Sequence, residues 1–144
     1  MAVNIAFVCD SVTLSENNPL DFGTVQAGTS SAIKTVTVTN TGSSDAQQCV
    51  LEPKEATITN GFSVNSQSGT AAETYNVQTF ATDATSGSWY SYAVLGTGKN
   101  YASKTGGTIA NTNGTDSFAT KWCPPSNGTS GQKVWGNVFS CVYI

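Results

Sequence analysis

A chain of 144 residues with a net charge of −3, six Lys against nine acids and no His is poorly suited to nucleic acid. Such binding needs clustered cations that displace counterions from phosphates. There is no Arg, and Lys34, Lys54, Lys99, Lys104, Lys121 and Lys133 are scattered singly. No apolar stretch approaches the length of a membrane span. Neither nucleic acid nor membrane is therefore expected among the partners.

A chain of this size buries about two-thirds of its unfolded surface, enough for a core without staples. Charged residues make up only 10% of it, so Ser, Thr, Asn and Gln, roughly two-fifths of the residues, must solvate the exterior. Met1 to Cys9 lack a basic n-region and a small-residue cleavage site, and do not read as a signal peptide.

Strand signals dominate from the start. Residues 3–8 form a short β run that residues 11–14 extend after a break. Residues 19–25 follow, closed by Gln26-Ala27-Gly28. In residues 32–40, Val36 and Val38 set one face and Thr35, Thr37 and Thr39 the other, with Ile33 out of phase. Asn40-Thr41-Gly42 ends the run in a tight turn, since Asn and Gly tolerate positive φ. Short strands are expected at 48–51, 56–59, 61–64 and 75–80, and an aromatic one at 89–95. Residues 96–116, rich in Gly, Thr and Asn, read as loops with weak strands. Residues 117–123 and 133–144 read as a closing strand pair joined by a Pro- and Gly-rich loop, with Trp122 and Trp135 facing each other across it. No window carries a helical period with caps. Many short strands with frequent turns predict a sandwich or barrel.

The segment Leu20-Asp21-Phe22-Gly23-Thr24-Val25-Gln26-Ala27-Gly28, running into Thr35-Val36-Thr37-Val38-Thr39-Asn40-Thr41-Gly42, resembles the ASH/Hydin-like immunoglobulin family. Gly61-Phe62-Ser63-Val64 fits a further element of that pattern. The resemblance covers residues 10–80 and implies an all-β, immunoglobulin-like antiparallel β-sandwich. Residues 1–9 are then an N-terminal strand or arm and 10–95 the sandwich. Residues 96–144 either complete it or form a small second lobe. Such modules occur in phage particles, on bacterial surfaces and in cilia, so the resemblance speaks to fold more than to function.

Enzymatic chemistry finds little footing. Without His, the usual general base and the commonest metal ligand are missing. No pair among the nine acids is marked for glycoside hydrolysis, and no phosphate loop or dinucleotide fingerprint is present. No catalytic residue, metal or cofactor is expected. Cys9, Cys49, Cys123 and Cys141 are widely spaced and allow three full disulfide pairings; burial as small hydrophobes is the alternative. Trp89, Tyr90 and Tyr92 are candidates for a glycan platform, with alternate core positions as the competing reading.

The best sequence reading is a non-enzymatic component of a bacteriophage virion, a capsid decoration protein or an accessory tail or fibre module. Its partners would be other virion subunits, capsid or tail protein, in a multi-copy or homo-oligomeric assembly. An immunoglobulin-like module, a nearly uncharged surface and the lack of an export signal point that way together. Contacts to neighbours are expected from Val3, Ile5 and Phe7 at one end and Phe139, Val142 and Ile144 at the other, with both termini held by them. Two alternatives stand beside it: a carbohydrate-binding or adhesin module on host-surface glycans, and a filament subunit on a bacterial cell surface.

Overall fold

The computed structural model describes residues 2–54, 64–65, 76–85, 87–124, 132 and 135–143. The expected strand at 56–59, residues 61–63 of the expected strand at 61–64, and the contact residue Ile144 lie outside the described residues. Nine strands follow in chain order: β1 Ile5–Cys9, β2 Val12–Thr13, β3 Lys34–Asn40, β4 Ala46–Lys54, β5 Val64–Asn65, β6 Asn76–Ala81, β7 Ala93–Val94, β8 Gly114–Cys123 and β9 Gly136–Tyr143. The described residues contain no helix, and so none long and apolar enough to cross a membrane.

The strands make two sheets, ordered β2-β1-β3-β8-β6-β5 and β7-β4-β9. Every pairing is antiparallel except that of β5 with β6. The alternation in β3 has its expected consequence: Val36, Val38 and Asn40 are buried while Thr35 and Thr37 face water. Opposite Val36 stands Phe118 of β8, whose ring meets Phe80 of β6 at 5.7 Å. Ala46, Cys49 and Leu51 of β4 and Leu95 and Ile109 complete the core from the second sheet. The chain is a β-sandwich.

Three sequence expectations are corrected. Residues 19–25 form no strand: the Asp21 carboxylate accepts the Gly23 N–H at 2.7 Å, and Gly23 adopts φ 73°, a local turn that stops an extended run. The segment is tied down regardless, because Leu20 packs on the core and Ser31 N–H bonds the Trp122 carbonyl at 2.8 Å. Residues 89–95 are not one strand either. Tyr90 bridges to Phe80 in the larger sheet, and β7 pairs with β4 in the smaller, so the segment crosses between sheets.

The third correction concerns the closing pair. β8 is flanked by β3 and β6 and has no free edge, so β9 pairs with β4 in the other sheet. Trp122 and Trp135 do touch, with ring centroids 5.5 Å apart, but in different layers rather than across a hairpin. Trp135 Nε1–H donates to Gln78 Oε1 at 2.5 Å, Gln78 Nε2–H to Thr120 Oγ1 at 3.1 Å, and Thr120 Oγ1–H to the Thr79 carbonyl at 2.9 Å. This polar chain ties the start of β9 to the larger sheet.

Asn40 does more than start a turn. Neither it nor Gly42 has positive φ. Its fully buried side chain accepts from the N–H groups of Asn4 and Gly42, at 3.3 and 3.0 Å. It also donates to the carbonyls of Ser44 and Ile109, at 2.8 and 3.2 Å. One amide thus joins the N-terminal arm, the β3–β4 turn and the opposite sheet.

Candidate functional site

β1 and β9 face each other at one lateral side of the sandwich. Val3, Ile5 and Phe7, two apart, present one face of an extended N-terminal segment, and all three pack against the core cluster. From the other sheet Phe139 and Cys141 do the same. The rings of Phe7 and Phe139 meet between the sheets. Beside Phe139 lies an open groove of about 480 Å³ lined by Ala2, Val3, Ile5, Phe139, Ser140, Cys141 and Tyr143.

Two backbone edges border this groove. Among the described residues β9 pairs with β4 alone, so its outer edge carries no strand. β1 is covered by β2 only at Val8 and Cys9, with one further bond from Leu14 N–H to the Phe7 carbonyl at 2.7 Å. The side chains along β9 include no charge. Of five large exposed hydrophobics among the described residues, Val138, Val142 and Tyr143 lie on this strand, and the last is 59% exposed. An uncharged, apolar, unpaired edge is what sheet proteins ordinarily blunt with Lys, Pro or a bulge.

The structure brings Val3, Ile5, Phe7 and Phe139 of the sequence-predicted contacts to this seam, and leaves Val142 exposed beside it. Tyr143 was not among those predicted. Period-two alternation along β9 sets it in phase with Phe139 and Cys141, which is the signal that finds it.

The aromatic candidates separate. Tyr90 and Tyr92 lie 5.6 Å apart and both meet Tyr101, at 5.2 and 6.4 Å. The Tyr92 hydroxyl donates to the Tyr101 carbonyl, and Tyr101 is buried, which pushes its phenol above the ordinary range; nearby Asp116 adds to the shift. Trp89 instead lies under the Lys121 ammonium, 4.3 Å from its ring centre. Lys104 sits over Tyr92 at 5.3 Å and pairs with Glu52.

Several of the described acids are occupied structurally. Asp116 accepts from Lys99 Nζ at 2.6 Å, Gly96 N–H at 2.7 Å and Ser117 N–H at 2.8 Å. Asp45 accepts the Asn111 N–H at 2.8 Å. No group of three or more His, Cys, Asp or Glu able to hold a metal occurs among the described residues.

All four cysteines are free thiols. Burial pushes Cys49 up to about 11, with Cys141 and Asp116 adding to the rise. Burial likewise raises Cys9 and Cys141, while the Cys123 sulfur lies 3.2 Å from Ser30 Oγ. The chain matches no family model, no curated protein and no solved structure.

Proposed function

We propose that this chain is a non-catalytic structural module that works by docking to other protein subunits along the β1–β9 seam. The observation that carries the reading is the β9 edge: uncharged, without a neighbouring strand among the described residues, and bordered by a groove with no charged residue in its lining. Protein subunits recognise such an edge by adding a strand, with backbone hydrogen bonds supplying affinity and side-chain pockets supplying specificity.

The setting we propose is a bacteriophage virion, with the chain as a capsid decoration protein or an accessory tail or fibre module. The likeness of residues 10–80 to ASH/Hydin-like immunoglobulin modules supports it, as does the Thr-, Ser- and Asn-rich, weakly charged exterior. We read the sandwich as immunoglobulin-like on the same grounds. Leu20 of the motif packs on the core, and Phe22 stacks on Trp135 at 5.8 Å.

Charges placed on the edge test the docking. Val138→Lys with Val142→Lys leaves the folded chain intact, because both side chains are solvent-exposed, and abolishes its association with the particle or filament it belongs to. Retained association by the doubly substituted chain would remove the β9 edge from the interface. Binding of the isolated chain to glycans, lost on Tyr90→Ala, would favour the adhesin alternative instead.

A further inference from the structure

The register of β4 against β9 sets two free thiols opposite each other. Gln47 pairs with Val142 and Val50 with Ser140, so Cys141 alone stands across from the two bulge residues Gln48 and Cys49. Gln48 takes φ 54° and turns outward, while Cys49 is fully buried. Cys141 alternates inward with Phe139 and packs on the same core cluster that holds Cys49. The Cys49 thiol donates to the Ala46 carbonyl at 3.2 Å and carries no covalent partner.

Paired antiparallel strands hold opposite Cα atoms about 4.5–5.5 Å apart. Disulfides span Cα separations of about 4.4–6.8 Å. The other two cysteines are not set across from each other. Cys9 ends β1 and Cys123 ends β8, and β3 stands between those strands. Of the pairings the sequence leaves open, the strand register sets one pair, Cys49 and Cys141, across from each other.

We propose that Cys49 and Cys141 close a disulfide within the smaller sheet when the folded protein meets a disulfide oxidant, fastening edge strand β9 to β4 at the bulge. The inference goes beyond the assembly reading and does not depend on it, since it needs only the β4–β9 register. With oxidised glutathione as oxidant, the half-buried Cys141 reacts first. Its thiolate attacks one glutathione sulfur, forming a mixed disulfide and releasing one glutathione thiolate. The Cys49 thiolate then attacks the Cys141 sulfur and expels the second. Two protein thiols are oxidised, one glutathione disulfide is reduced to two thiols, and the two protons pass to the glutathione thiolates.

The chain's own lysines make the test direct. Cleavage after Lys places Cys9 in residues 1–34, Cys49 in 35–54, Cys123 in 122–133 and Cys141 in 134–144. The folded full-length chain is incubated with oxidised glutathione, denatured, alkylated, cut with trypsin and weighed. The expected product joins 35–54 to 134–144, two hydrogens lighter than the separate peptides, with 1–34 and 122–133 fully alkylated. Cys141→Ser, treated in the same way, should yield no linked peptide. Alkylation of all four thiols, arrest at a glutathione adduct on Cys141, or a dominant link through Cys9 or Cys123 would each overturn the proposal.

Discussion

Phe7 of β1 and Phe139 of β9 meet edge to face between the two sheets, their ring centroids 5.7 Å apart and their planes at 74°. This contact joins the two sheets next to the open groove, which Phe139 also lines. Both rings are partly buried, and truncating either removes apolar burial and opens a cavity. Phe7→Ala and Phe139→Ala should each cost about 2 kcal/mol, below the usual range for a fully buried ring. In a double-mutant cycle by urea unfolding, the pair should show a coupling of about 1 kcal/mol. Strict additivity would mean that the rings do not support each other.

The buried Asn40 amide makes a sharper prediction. Its four hydrogen bonds reach Asn4, Gly42, Ser44 and Ile109; removing the amide takes that partner from the Asn4 and Gly42 N–H groups and the Ser44 carbonyl, while the Ile109 carbonyl keeps the Ala46 N–H. Asn40→Ala should destabilise the fold by about 3 kcal/mol, near the upper end for buried polar groups left unsatisfied. Asn40→Asp keeps the size but loses both donors, so it should be no better at neutral pH. A midpoint for either variant equal to that of the parent chain would show the network to be incidental.

Gly42 sits where the N-terminal arm crosses the β3–β4 turn. A Cβ there would overlap the Ala2 carbonyl oxygen and the backbone of Val3 and Asn4. Gly42→Ala should therefore lift the arm and break the bonds from Ser43 and Ser44 N–H to the Ala2 carbonyl, now 2.9 and 3.1 Å. Hydrogen exchange reads this locally: the amides of Ser43 and Ser44 should exchange faster, while those of central β8 keep their protection. Faster exchange across β8 as well would mean global destabilisation instead.

Alkaline pH should weaken the fold in a defined window. The Cys49 thiol, ordinarily near 9.0, is held up to about 11 in the folded chain, so the native state favours the proton more than the unfolded state does. Its contribution is complete below about pH 9 and is lost as pH rises through about 11. Tyr101, raised by burial, acts in the same direction. Melting temperature measured between pH 8 and 11 should fall, and Cys49→Val should make the fall shallower. An unchanged slope in that variant would assign the pH effect elsewhere.

Much of the architecture was legible because it is local. Val36 and Val38 alternate with threonines, and that period alone predicts a strand with one buried face. Pairing partners were not legible, since they depend on which edges remain free. Residues 133–144 read naturally as the partner of 117–123, yet β3 and β6 already occupy both sides of that strand. The aromatic run at 89–95 has strand composition, but its two ends belong to different sheets. Asn40 reads as a turn former, whereas its role lies in side-chain bonds to residues 4 and 109, which no local pattern encodes. At the seam, apolar character near both chain ends pointed to Val3, Ile5 and Phe139. Phe139 and Val142 are out of phase on β9, and only the period of two brings Tyr143 to the groove. The link between Cys49 and Cys141 required the register of a bulge.

The proposed docking of this chain, as an assembly subunit, through the β1–β9 seam can be observed directly. Its most direct test is cryo-electron microscopy with intact-mass analysis of the protein in its source material. Docking through the seam gives a particle or filament carrying the chain at fixed stoichiometry, with density from a neighbouring subunit against Val3, Ile5, Phe139 and Tyr143. A free monomer, or an assembly in which that seam faces open solvent, would contradict it.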